Sequence, residues 1–209
     1  MTTRTLAVFG VSGRTGRTIA QMADSRWLIR GFVRPGSEVP GVDLVVGTFT
    51  DGDLVARVVA GASVVCCVFG PRPPYRDVFC EAATRTVIAA MQADGCDRLV
   101  CQTGAMIGSA EGLRRTQPFQ LMADLFARRR PEVARDRSAQ EEAIVRSTLR
   151  WTIVKPPRLT DGPPLGRVLA APDLRVGLRS SIRRADLAAF LLKEAENCDF
   201  LRRRVVVKG

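Results

Sequence analysis

Short apolar runs alternate with amphipathic stretches through the first half of this chain. Leu6-Ala7-Val8-Phe9 is such a run and stops at Gly10, and apolar residues then return at helical spacing, which predicts a strand over 6–9 and a helix reaching about 22. Further strands are expected over 28–33 and 44–46, separated by the turn Pro35-Gly36-Ser37. Asp51 or Asp53 is placed to cap a helix that ends near Ala60-Gly61. Residues 63–69 are almost continuously apolar, as a strand covered on both faces of a parallel sheet must be. Gly70-Pro71-Arg72-Pro73-Pro74 fits neither strand nor helix and ends that run. A helix over 78–91, closed by Gly95, and a strand over 99–102 complete the alternation.

Beyond Thr103 the pattern loosens into a glycine-containing loop through Gly112, helices over 118–130 and 131–147, and a strand over 151–154. A Pro-rich bend from Pro156-Pro157 to Pro163-Pro164 follows, then a helix over 184–195 and a strand over 205–207. Strands alternating with helices read as an α/β fold with a doubly wound, mostly parallel sheet of the Rossmann type. The length favours one domain, 1–209. Ligands of such sheets lie beyond the carboxyl ends of the strands, so the acceptor-site loops are expected mainly in 70–76, 104–118 and 156–182.

Glycines 10, 13 and 16 follow the first strand and open the first helix. Their spacing, G-x-x-G-x-x-G, permits a tight turn, lets backbone approach a diphosphate without an intervening Cβ, and presents helix amides to it. The end of the second strand discriminates between nicotinamide nucleotides, because an acid there binds a ribose 2′-hydroxyl and repels a 2′-phosphate. Arg34 occupies that position, with Arg14 as a second guanidinium, so the expected cofactor is NADP(H).

Composition narrows the classes. With 46% hydrophobic residues the chain can fill a core without crosslinks, and its six cysteines make no C-x-x-C pair or Cys/His cluster, which suits a reduced, cytoplasmic protein. No apolar run approaches membrane-spanning length, and no secretory leader pattern is visible, so no membrane partner is expected. The net charge of +11 is spread along the chain without a recognition motif; it reads as a surface that attracts anionic small molecules, with no specific nucleic acid as partner. Trp27, Trp151, Met91 and Met122 are expected in the core, and Arg137 and Glu141 as an i,i+4 ion pair.

Taken together, Val8 to Gly16, Phe32-Val33-Arg34, Val59 to Val65, Ile88 to Met91, Val100 to Thr103, Val154 to Pro157 and Arg184 to Leu187 resemble the atypical short-chain dehydrogenase relatives called NmrA-like or NAD(P)H-binding proteins. The branch most resembled is that of the NADPH-dependent flavin reductases, the biliverdin reductase B group. The resemblance implies that Gly10, Ser12, Gly13, Arg14, Thr15 and Gly16 lie on the phosphates and Arg34 on the 2′-phosphate. It implies that Phe69, Gly70, Arg72, Thr103, Pro156 and Pro157 border the nicotinamide half. Thr48 stands where such proteins carry an Asp near the adenine. A small-molecule acceptor is implied, namely a flavin, quinone or linear tetrapyrrole, as is a monomeric state.

Two departures bear on chemistry. Gly104 replaces a serine and Arg158 a histidine of that branch, and the chain contains no histidine at all. The Tyr-x-x-x-Lys pair of ordinary short-chain dehydrogenases is also missing, the matching helix reading Arg137-Ser138-Ala139-Gln140-Glu141. Hydride transfer to a flavin or quinone tolerates this loss, because protons can follow from solvent, with Thr103 orienting the reactants and Arg158 or Arg72 supplying positive potential. The alternative is a catalytically impaired NADPH-binding sensor or regulator.

Overall fold

The computed structural model describes residues 3–75 and 77–209; Met1, Thr2 and Arg76, the last within the expected 70–76 loop, lie outside the described residues. Along the chain run β1 (Arg4–Phe9), α1 (Arg14–Met22), β2 (Trp27–Val33), β3 (Asp43–Val46), α2 (Gly52–Val59), β4 (Val64–Cys67), α3 (Cys80–Asp94) and β5 (Arg98–Gln102). The second half comprises β6 (Arg114–Arg115), α4 (Gln117–Arg129), α5 (Pro131–Arg146), β7 (Arg150–Lys155), β8 (Arg158–Thr160), β9 (Leu169–Ala171), β10 (Arg175–Val176), β11 (Ser181–Arg183), α6 (Arg184–Asn197) and β12 (Arg203–Lys208).

Local chemistry sets the boundaries. The Asp51 carboxylate accepts the Leu54 amide at 3.1 Å and so starts α2, while Gly95 ends α3 at φ +81, a conformation that costs glycine little. Pro131 opens α5, where its missing N–H removes no helical bond.

Eight strands form one sheet in the order β3-β2-β1-β4-β5-β7-β12-β9, parallel throughout except for β9, which runs antiparallel along β12 at the edge. The direction of chain progression reverses between β1 and β4, and at such a reversal the loops leaving the two strands diverge and open a crevice. One face of the sheet packs Val55, Val58 and Val59 of α2, Val87 and Met91 of α3 and Ile144 of α5. The other packs Ile19 of α1 with Leu187, Phe190 and Leu191 of α6. Strands β6 and β10, and β8 and β11, pair in two small separate ladders that tie down the chain after β5 and β7.

Trp27, Trp151 and Met91 are buried as expected, but Met122 is not. Helix α4 is anchored through Phe119 and Ala123, which turns Leu121, Met122 and Leu125 toward solvent. The expected Arg137–Glu141 ion pair is likewise replaced. Glu141 instead pairs with Lys155 of β7, both fully buried, with Arg204 of β12 at 3.4 Å, and Arg137 bonds to Gln140. A second buried pair, Arg98 with Glu194 at 2.8 Å, fastens β5 to α6. Five of the six cysteines are buried, and burial pushes the Cys66 and Cys80 thiols up to about 12. No helix among the described residues is long and apolar enough to cross a membrane.

Candidate functional site

The crevice at the β1/β4 reversal is a cavity of about 1000 Å³ lined from the loops that follow β1, β2, β3, β4 and β5. Its first wall is the glycine loop. Gly10 has φ +94, and a Cβ there would fall 2.8 Å from the Phe69 amide nitrogen, so the loops leaving β1 and β4 touch backbone to backbone. Gly13 donates its amide to Gly10 O at 2.9 Å and acts as N-cap of α1 without a side-chain cap. The first turn of α1 carries no acid, so its free amides and dipole face the cavity with a net attraction for anions.

Gly16 lies behind this wall. A Cβ on it would come 2.3 Å from Gly10 O, so its role is to let α1 pack against the loop. We expect Gly10→Ala to cost about 1–3 kcal/mol through the forced left-handed residue and its backbone clash, and to weaken nucleotide binding in an NADPH fluorescence titration. Unchanged affinity would show that the loop need not hold this shape.

Ser12, Gly13, Arg14 and Thr15 line the cavity with Gly10, as do Arg34 at the end of β2 and Thr48 after β3. Arg34 is exposed, and Thr48 shares a 2.7 Å hydrogen bond between hydroxyls with Thr50. Arg14 donates to Asp161 at 3.0 Å, and Asp161 also lies 3.4 Å from Arg184, another lining residue. Burial, and then the neighbouring Arg14 charge, lower the pKa of Arg184. Four rings, Phe32, Phe49, Phe69 and Phe79, form an apolar floor, with Phe49 and Phe69 at 5.0 Å between centroids. Composition alone did not single out Phe49 or Phe79.

From the β4 loop come Gly70, Pro71, Arg72, Pro73 and Tyr75, and from the other two expected loops only Ile107 and Leu159. Arg72 reaches back over the glycine loop, its Nη2 lying 3.5 Å from where a Gly13 Cβ would be. Thr103 lines the far end, whereas Pro156 is buried behind it, and neither Pro157 nor the exposed Arg158 belongs to the wall.

The residue that sequence reasoning missed is Arg137. Helix α5 buries Val133, Asp136, Arg137, Gln140, Glu141 and Ile144, a single face at helical spacing that is polar at four positions. Asp136 accepts the amides of Cys80 and Glu81, each at 2.9 Å, and thereby caps α3. Gln140 donates to Thr84 at 2.9 Å and accepts from Arg137 at 2.6 Å. Arg137, only 4% exposed, is thus held against the cavity wall.

A sequence profile described as NAD(P)H-binding matches residues 10–197, from the glycine loop to the end of α6. The chain belongs to this NAD(P)H-binding family. An uncharacterised chloroplastic protein of Arabidopsis thaliana is 28% identical over 186 residues, covering 82% of this chain, which spans 65% of that protein's length. Among solved structures, ChuY, an anaerobillin reductase from Escherichia coli O157:H7, superposes with a TM-score of 0.78 at 20% identity, covering 98% of this chain and 96% of that one. A short-chain dehydrogenase/reductase of Veillonella parvula in complex with NADP gives 0.77 at 13% identity, over 100% and 95% of the two chains. These likenesses establish the shared fold. For an NAD(P)H-binding protein, the cradle left by Gly10 and Gly13 fits a diphosphate: a side chain at either position would crowd the loop backbone.

Proposed function

We propose that this NAD(P)H-binding protein is an NADPH-dependent reductase that passes hydride to a flat conjugated acceptor: a flavin, a quinone or a linear tetrapyrrole. One observation carries the reading, the make-up of the cavity past the glycine loop. There Gln102, Thr103 and Arg137 present buried polar groups, the chain has no histidine, and its one tyrosine, Tyr75, sits on the β4 loop with its ring edge-on to Phe126 and not beside Thr103 in sequence or strand. An acceptor that delocalises the incoming charge needs no such donor, whereas an isolated ketone does.

In this reading Gly10, Ser12, Gly13, Arg14 and Thr15 hold the diphosphate, and Gly16 lets α1 approach it. Arg34 takes the 2′-phosphate, and Thr48 and Phe49 border the adenine. Phe69, Gly70 and Arg72 flank the nicotinamide half, and Thr103 orients the reacting rings, with Pro156 and Pro157 shaping the bend behind it. A bound dihydronicotinamide supplies the hydride. Arg158 is exposed and does not line the cavity, so we assign the positive potential to Arg72 and Arg137 instead. The fold shared with ChuY supports the tetrapyrrole member of the acceptor set, at the level of fold.

A sensor role has its own supporting observation. Gly104 replaces the serine of the resembling reductases, and a Cβ added there meets nothing within 4 Å, so no side chain occupies that spot. The test is NADPH oxidation followed at its absorbance with FMN, riboflavin, biliverdin and menadione in turn. We expect turnover with at least one. Tight NADPH binding with no oxidation by any acceptor would overturn the reductase reading in favour of the sensor.

A further inference from the structure

Arg137 is a buried cation whose hydrogen bonds all go to neutral acceptors. Its Nη1 donates to Gln140 Oε1 at 2.6 Å and to Phe69 O at 3.4 Å, its Nη2 to Gln102 O at 3.4 Å, and it takes part in no ion pair among the described residues. The nearby carboxylates are already committed: Asp136 caps α3, and Glu141 is matched by Lys155 and Arg204. Two further groups at the same wall are buried without any hydrogen-bond partner, Thr103 Oγ1 and Gln102 Oε1. Buried polar groups are rarely left unmatched, because each costs roughly 1–3 kcal/mol. Two of them, beside the Arg137 guanidinium on one cavity wall, are therefore a recognition surface for a polar ligand atom, and the guanidinium makes it one for negative charge.

The geometry points to Arg137 as a catalytic residue that pairs with the anionic, two-electron-reduced form of the acceptor. The inference rests on the reductase reading and deepens it by naming the residue that pairs with the reduced acceptor. The acceptor takes up two electrons and one proton together as hydride at an electrophilic ring atom, the dihydronicotinamide being oxidised to the nicotinamide cation. The new C–H or N–H bond leaves the acceptor with one negative charge, delocalised onto a conjugated oxygen or nitrogen that faces Arg137. The proton that neutralises it comes from solvent after product leaves. A guanidinium does not release its proton at any physiological pH, so it can stabilise such an anion but cannot protonate it. Flavins and quinones meet this requirement, since their reduced rings are stabilised anions. An isolated ketone does not, because its alkoxide needs a proton during the transfer. The α5 side chain at this cavity wall is thus a fixed charge and not a proton donor.

The test compares wild type with Arg137→Met and Arg137→Lys in two measurements. The first is steady-state turnover of NADPH with menadione, an uncharged quinone. We expect Arg137→Met to lower kcat by about 100-fold, as removal of one preorganised donor does, with the Michaelis constant for NADPH nearly unchanged. Arg137→Lys should recover part of the loss, because the charge returns without the fork. The second is equilibrium binding to the NADP+-saturated protein of 2-hydroxy-1,4-naphthoquinone, an anion at neutral pH, against menadione. Arg137→Met should weaken the anion about tenfold while leaving menadione nearly unaffected, a split that a general loss of packing would not produce.

Menadione turnover and anion affinity both near wild type in a folded Arg137→Met would overturn the inference and leave the reductase reading standing. A wild type that reduces no acceptor, yet loses anion binding on Arg137→Met, would sink the reductase reading and keep the anion site. Should Arg137→Met unfold, Arg137→Gln retains donors toward Gln102 O and Phe69 O without the charge, and the same outcomes decide.

Discussion

Lys155→Met is expected to destabilise the protein by about 3–5 kcal/mol, the usual cost of removing one partner from a buried ion pair. For a chain of this size that is a fall in melting temperature of roughly 6–20 °C. Lys155 and Glu141 are both fully buried, and the methionine fills the space but leaves the carboxylate with only Arg204 at 3.4 Å. The double variant Lys155→Met/Glu141→Leu should recover most of the loss, because desolvating both charges costs nearly as much as their attraction returns. Urea midpoints of the three proteins decide this. A single variant as stable as wild type would contradict this account of the pair.

The same pair predicts a pH dependence. Burial lowers the Lys155 ammonium to about 8, the Glu141 charge opposing that shift. Its value in an unfolded chain is about 10.4. A folded value below the unfolded one means that the cost of burying the charge is fully present below pH 8 and is relieved as pH rises toward the unfolded value. Lys155→Met lacks this titrating group, so its stability gains nothing over that range. The stability gap between the two proteins therefore widens from neutral to alkaline pH, and a gap that narrowed would contradict this account.

Arg34→Asp should reverse the nucleotide preference. A guanidinium on a phosphate contributes roughly 1.5–3 kcal/mol, and an aspartate there would both lose that contribution and repel the 2′-phosphate while accepting from a ribose hydroxyl. We expect the ratio of NADPH to NADH affinities to fall by about 100-fold or more, NADPH losing most of it. Arg34 is exposed, so the wild-type preference should also weaken with added salt. Fluorescence titrations of both nucleotides at two ionic strengths check the claim. A variant still preferring NADPH would move the selection to Arg14 or Arg184, which also line the cavity.

Much of this fold is legible from local pattern. The four residues of β4 are apolar and buried without exception, and Asp51 caps α2 as its position before an amphipathic run suggests. The small ladders β6–β10 and β8–β11 were not legible, because strands of two or three residues carry no period. Met122 misled because α4 shows helical spacing on more than one face, and only packing decides which face is covered. The glycine loop was readable because each glycine answers a backbone demand within its own β-α turn, Gly16 through its close approach to Gly10 and Val11.

Arg137 shows why the rest of the site was not. A charged residue four positions from an opposite charge on a helix is ordinarily a solvated pair, and the segment Arg137 to Glu141 satisfies that rule. What turns it inward is Lys155, which reaches Glu141 from β7, and Thr84, which reaches Gln140 from α3. What the amino-acid sequence determined by itself was the alternation of the main strands and helices, the glycine-rich turn between β1 and α1 and the basic residue after β2, since each depends on neighbours a few positions away. Only the tertiary structure decided which polar side chains become buried at the cavity wall, because that depends on partners dozens of residues distant whose burial makes an unmatched charge costly.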